Sequence, residues 1–286
     1  MAANGASGFF RPRPITIQRR LLGLKGIELT ELHSQLQSLY DTCCTPPLSF
    51  GEGQGVRLID DGVIEAVIRN VYNGQGSYTQ SPETITAIFN DLWAGVLEGY
   101  GKAEADWDTV DQQVIDSLRN NVSVFSSAKD ATMLRELNLA LLDENGAIRT
   151  FEAFQLEARK ITGVYLKKYL KTEYNLAING AQMASKWKTI LETATTFPYL
   201  QFDAVLDSHS SHICPPLDGI TLPVNHVFWQ TKTPPNHFNC RSTVRQLPIG
   251  TVTPDSKIPA VDVQPMFNKN LAAERVIFPT DHPYFK

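Results

Sequence analysis

The chain has 286 residues, 42% of them hydrophobic and 20% charged, and a formal net charge of -4. That is enough apolar material for a sizeable core and points to one large or two modest domains. The acidic balance excludes a surface built throughout to coat nucleic acid; no apolar run is long enough for a signal peptide or a bilayer span, so the expected setting is the cytoplasm of the producing cell.

Residues 1–26 hold Arg11, Arg13, Arg19, Arg20 and Lys25 and no acidic residue. They read as a basic arm, either solvated and loosely ordered or a contact for DNA or for an acidic groove of a partner. Residues 27–124 read as helical. Leu29, Leu32, Leu36, Leu39 and Tyr40 recur at helical spacing in a segment that should stop before Thr45–Pro47. Gly51–Gly55 lacks the Gly-Lys-Ser/Thr of a phosphate loop and is read as a turn. A second helix carries Val63, Val67 and Val71. A third starts with Ser81 as cap and Pro82 at the first helical position, and buries a stripe of Ile85, Ile88, Leu92 and Val96.

Further helices are predicted at Val110–Leu118 and Met133–Leu142. Glu144–Gly146 is a turn, and Thr150 caps a long helical stretch to about Thr195 with Phe154, Ala158, Ile161, Tyr165 and Tyr169 on one side. Gly163 and Gly180 are candidate kinks. After Phe197 the pattern turns to strands within Tyr199–Asp207, Asp218–Val224 and Arg241–Leu247. The expected fold class is therefore α+β. A predominantly helical N-terminal half gives way, between Phe125 and Thr150, to long helices leading into a small mixed α/β domain with a loop-rich His/Cys segment. Residues 248–286 are too few for a separate catalytic domain and read as an extended tail packed over the rest.

Four cysteines in so long a chain are not a disulfide framework. Cys43 and Cys44 are adjacent, whereas "HIC" (His212–Cys214) and "HFNC" (His237–Cys240) form two half-sites of soft ligands. His212, Cys214, His237 and Cys240 make a candidate structural zinc site, with His209 as a substitute donor. Other readings stand beside it. The two cysteines can pack as small hydrophobes with His237 bonded to a carbonyl. Cys240 and His237 can act as nucleophile and base. Glu173, Asp207, Asp218 and His237 can hold a metal in a hydrolase or nuclease. Against that last reading, Asp218 with Gly219 is what a tight turn requires, Asp207 ends a strand, and Glu173 can pair with Arg241 or Arg245.

The pieces "YLKTEYNLAINGAQ" (Tyr169–Gln182), "DSHSSHICPPLDGI" (Asp207–Ile220), "VFW" (Val227–Trp229) and "PPNHFNCRS" (Pro234–Ser242) stand in one order over residues 125–247. In order and spacing they resemble the phage head morphogenesis family, the Mu F-like minor head proteins. Two departures are visible: Ser211 stands where fuller metal sets have a Cys, and Ser242 replaces the last Cys of a Cys-Arg-Cys triplet. The resemblance implies a minor virion protein of a tailed phage or prophage rather than an enzyme. It would be present in several copies, be associated with the portal and other head proteins, and act in head assembly and in DNA packaging or ejection. Residues 27–124 would be the docking region, and the protein would sit in the virion after assembly in the host cytoplasm. Glu173, Asp207, Asp218, Gly219, Trp229 and Arg241 then have structural or interaction roles.

Overall fold

The computed structural model describes residues 26–41, 59–75 and 80–286. The basic arm through Lys25, the Thr45–Pro47 stop, Gly51–Gly55 and the Cys43–Cys44 pair lie outside the described residues. Helices α1 (Gly26–Asp41), α2 (Asp61–Asn73), α3 (Pro82–Tyr100) and α4 (Thr109–Leu139) form the first half. The caps follow the local sequence. Ser81 accepts a bond from the Thr84 amide with Pro82 just inside α3, and Asp108 and Asp111 close a reciprocal capping box on α4. Leu32, Leu36, Leu39 and Tyr40 of α1 are buried, as are Ile88, Leu92 and Val96 of α3, while Ile85 is only half-buried.

Helix α4 corrects the sequence reading, because the expected helices at Val110–Leu118 and Met133–Leu142 are parts of one helix of 31 residues. The intervening segment carries Asn120, Asn121, Ser123, Ser126 and Ser127, which compete locally with helical bonding and hide the periodicity. The expected domain limit at Phe125 falls inside this helix. Phe125 is fully buried and belongs to a hydrophobic core that extends from Leu32 to Tyr284.

Thr150 caps α5 (Phe151–Gly163) by accepting from the Ala153 amide. Neither Gly163 nor Gly180 breaks the rod; instead a π-helical turn at Val164–Tyr169 joins α5 to α6 (Leu170–Glu192). The most extensive helix pair is α3 against α6. Gly95 and Gly99, one turn apart on α3, allow this approach. A Cβ on Gly99 would lie 2.1 Å from the Ile178 carbonyl oxygen, and one on Gly95 would lie 3.2 Å from that of Tyr174.

Three strands follow, β1 (Tyr199–Asp203), β2 (Thr221–Pro223) and β3 (Thr243–Leu247), in an antiparallel sheet of order β2-β1-β3. A short helix, α7 (Trp229–Lys232), lies between β2 and β3, and Trp229 is buried with its indole N–H donating to the Pro223 carbonyl at 3.0 Å. The C-terminal residues are less extended than the sequence suggests. They include a short helix, α8 (Leu271–Glu274), and bury Phe267, Ile277, Phe278 and Tyr284. Phe278 stacks on Phe125 at 3.7 Å between ring centroids. Asn121 of α4 accepts from the amides of Ile277 and Phe278 at 2.9 Å and donates to the Phe278 carbonyl at 2.8 Å. The end of the chain is thus stitched to the helical half.

Candidate metal centre

The loop after β1 and the loop before β3 face each other. The first carries Ser211 and Cys214, the second His237 and Cys240. Their ligand atoms come together as a buried group, Cys214, His237 and Cys240, all within 4.8 Å of one another. The Cys214 Sγ lies 3.4 Å from His237 Nε2 and 3.7 Å from Cys240 Sγ. A tetrahedral ion with Zn–S of about 2.3 Å and Zn–N of about 2.0–2.1 Å requires sulfurs about 3.8 Å apart and an S–N separation of about 3.6 Å. Both distances from Cys214 match that spacing closely, and Cys240 and His237 lie within 4.8 Å of each other.

The imidazole is set for this task. His237 Nδ1 lies 2.7 Å from the Phe238 carbonyl oxygen, which only accepts, so the proton is on Nδ1 and Nε2 offers its lone pair. Ser211 Oγ is 2.8 Å from the same Nε2. A cavity of about 10 Å³, lined in part by Ser211, Cys214 and His237, leaves room for one water-sized sphere. Hydrogen bonding to Cys240 and burial raise the pKa of Cys214 far above the usual thiol range. Hydrogen bonding from Cys214 lowers that of Cys240 against the opposing effect of burial, and His237 adds to the lowering.

The scaffold holding these donors is explicit. Arg241 grips Asp207 with two bonds, of 2.7 and 2.6 Å, tying the β1 loop to the β3 loop across the group. The Arg241 guanidinium, joined by the His209 amide, holds the Asp207 carboxyl well below the usual carboxylate range. Asp218 accepts from the Ala204 amide at 2.9 Å, and Gly219, at φ +75°, sends its amide to the Phe202 carbonyl. From α6, Asn175 donates to the Asn239 side chain at 3.0 Å, and Asn179 donates to the Cys240 carbonyl at 2.8 Å. Asn239 has φ +55°, so this bond supports a left-handed backbone just before the Cys240 ligand. The two asparagines were not singled out from the sequence, although their spacing of four places both on one helix face.

Several expected groupings are corrected. His212 is exposed and is not part of the buried group, and His209 is exposed at the cavity rim. Glu173 does not pair with Arg241 or Arg245. It lies fully buried against Lys129, at 2.8 and 2.6 Å, and accepts from Tyr40 at 2.5 Å, while Arg245 faces Asp203 and Gln201. Glu173, Asp207, Asp218 and His237 therefore do not converge. Among the described residues, the one cluster of three or more metal-ligating side chains is the Cys-His-Cys group. His237 and Cys240 do lie close together, but the imidazole Nδ1 is taken up by the backbone carbonyl of Phe238.

The family described as Phage Mu protein F like protein matches residues 144–245. The chain is also 36% identical, over 78 residues, to the putative capsid assembly protein F of Escherichia phage Mu; the aligned part is 27% of this chain and 18% of that protein. The chain thus spans about a fifth of that relative's length. No solved structure matches. Cys214, His237, Cys240 and the Asp207–Arg241 pair that ties their loops all lie inside the matched residues, and this segment belongs to the Mu F-like phage head family.

Proposed function

We propose that this chain is a head assembly protein of a tailed phage or prophage, a minor virion component that works beside the portal and has no catalysis of its own. The match over residues 144–245 is the observation that carries this reading, and the capsid assembly role in the name of the Mu relative agrees with it. Residues 27–124 would offer helices to the portal or to neighbouring copies, several per virion. The basic arm with Arg11, Arg13, Arg19, Arg20 and Lys25 would add a weak, salt-sensitive contact to DNA. Two measurements on the full chain test this. Mass spectrometry of purified particles should find the protein at a fixed low copy number, and purified portal should retain it in solution. Absence from particles together with no portal binding would remove the assignment.

In the same reading, the Cys214, His237 and Cys240 group holds a structural Zn²⁺, which staples the β1 loop to the β3 loop and adds its binding energy to folding. Purified protein should carry about one equivalent of zinc, and Cys240→Ser should lose it and melt about 5 °C or more lower. Elemental analysis with thermal melting decides: metal-free protein whose melting is unaffected by Cys240→Ser excludes the staple.

A further inference from the structure

We infer that Cys214 and Cys240 form a redox site, a dithiol that a small hydroperoxide converts to an intramolecular disulfide. The inference uses the sulfurs of the proposed metal centre but does not need the ion. Three observations carry it. The sulfurs are already 3.7 Å apart, whereas a disulfide needs about 2.05 Å, so closure requires a shift of loops rather than of the fold. Both cysteines sit on irregular segments, one after Ile213 and one just before β3, which can yield more easily than a helix or a central strand. The access is one-sided: Cys214 lines the small cavity together with Ser211, His237 and Arg241, whereas Cys240 does not.

That asymmetry sets the order of events. The peroxide reaches Cys214 first. The Cys214 thiol gives its proton to His237 Nε2, 3.4 Å away, as its sulfur attacks one peroxide oxygen; the O–O bond breaks, and the departing hydroxide takes that proton back as water, leaving a sulfenic acid. The Cys240 sulfur then attacks the Cys214 sulfur, the S–O bond breaks, and the hydroxyl leaves as a second water with the Cys240 proton. Two thiols are oxidised by two electrons and one peroxide is reduced to two waters. With both sulfurs tied together, neither remains a thiolate donor, so closure also removes the ligand set of the metal centre.

The test uses the full chain, first assayed for zinc and then treated with a chelator, exposed to hydrogen peroxide and mapped by peptide mass spectrometry. The expected product is a peptide pair linked through Cys214 and Cys240, lighter by two hydrogens and restored by dithiothreitol, with the free thiols under denaturing conditions falling from four to two. In Cys240→Ser, a sulfenic acid trapped by a cyclic dione should accumulate at Cys214. In Cys214→Ser, Cys240 should stay reduced over the same interval. Sulfinic acid at Cys214 in the wild-type chain, linkage of either residue to Cys43 or Cys44, or no reaction overturns the proposal. Zinc in the starting protein with no later linkage defeats the redox site alone; linkage in protein that never bound zinc defeats the metal reading alone.

Discussion

Glu173→Ala should destabilise the protein by about 3–5 kcal/mol, a large part of the 5–15 kcal/mol that holds a typical domain together. Glu173 and Lys129 are both fully buried, and their pair joins α6 to α4. Tyr40 brings α1 to the same carboxylate, and His282 Nε2 lies 3.3 Å from the Tyr40 hydroxyl, so the chain end meets the network as well. Around it, the Lys129 ammonium lies 5.4 Å from the Tyr284 ring centroid and 5.8 Å from that of Tyr165. Burial already lowers the pKa of Lys129, with Glu173 opposing. Removing the carboxylate leaves a charge in an apolar site with nothing to balance it, and strands the Tyr40 hydroxyl.

Replacing both partners should behave differently, since an apolar pair of similar volume has no charge to strand. Glu173→Leu combined with Lys129→Met should recover most of the loss. Urea unfolding of the two single variants and the double variant decides. If Glu173→Ala unfolds at the wild-type midpoint, the pair is not what ties α1, α4, α6 and the chain end together. This also gives the Lys-Thr-Glu of the family resemblance a physical meaning. The motif acid is a core anchor that orients α6, the helix whose Asn175 and Asn179 hold the Cys240 loop.

What the sequence revealed, and what it hid, follows from the range of the interactions. Ser81, Pro82 and Thr150 act within three residues, and their caps are as read. The three strands are found where alternation and turn residues place them, and the soft ligands at Cys214, His237 and Cys240 meet because their chemistry is specific. The failures are nonlocal. Lys129 is 44 residues from Glu173, and nothing near either names the partner, so the sequence pointed to Arg241 or Arg245 instead. Gly95 and Gly99 are poor helix formers by local propensity, but they are the surface on which α6 rests. His212 lay two residues from Cys214 and was expected in the site, yet the turn into Pro215 carries it out to solvent.

Asp130 should make the protein lose stability as pH rises towards neutrality, and Asp130→Asn should relieve that loss. Asp130, on α4, is fully buried; Oδ2 accepts from the Ser81 amide at 2.7 Å, and Oδ1 has no hydrogen-bond partner among the described residues. Burial, with a smaller push from Glu83, raises its pKa from 3.8 to about 7, and the Ser81 bond opposes the rise. A carboxyl with a raised folded-state pKa binds its proton more tightly when folded. The stabilisation is therefore fully present below pH 3.8 and is lost progressively as pH rises to about 7, with no further change above. At about 1.4 kcal/mol per pKa unit, the loss is at most about 4 kcal/mol. Asparagine keeps an acceptor for the Ser81 amide and carries no charge, although its NH₂ takes the place of the unpartnered oxygen, so a gain of about 2 kcal/mol at pH 8 is expected. Near pH 4 the variant and the wild type should converge. Urea midpoints measured across this range settle the matter: parallel pH profiles for the two proteins would mean that Asp130 is hydrated or paired in solution, and that the α3 start does not rest on a buried acid.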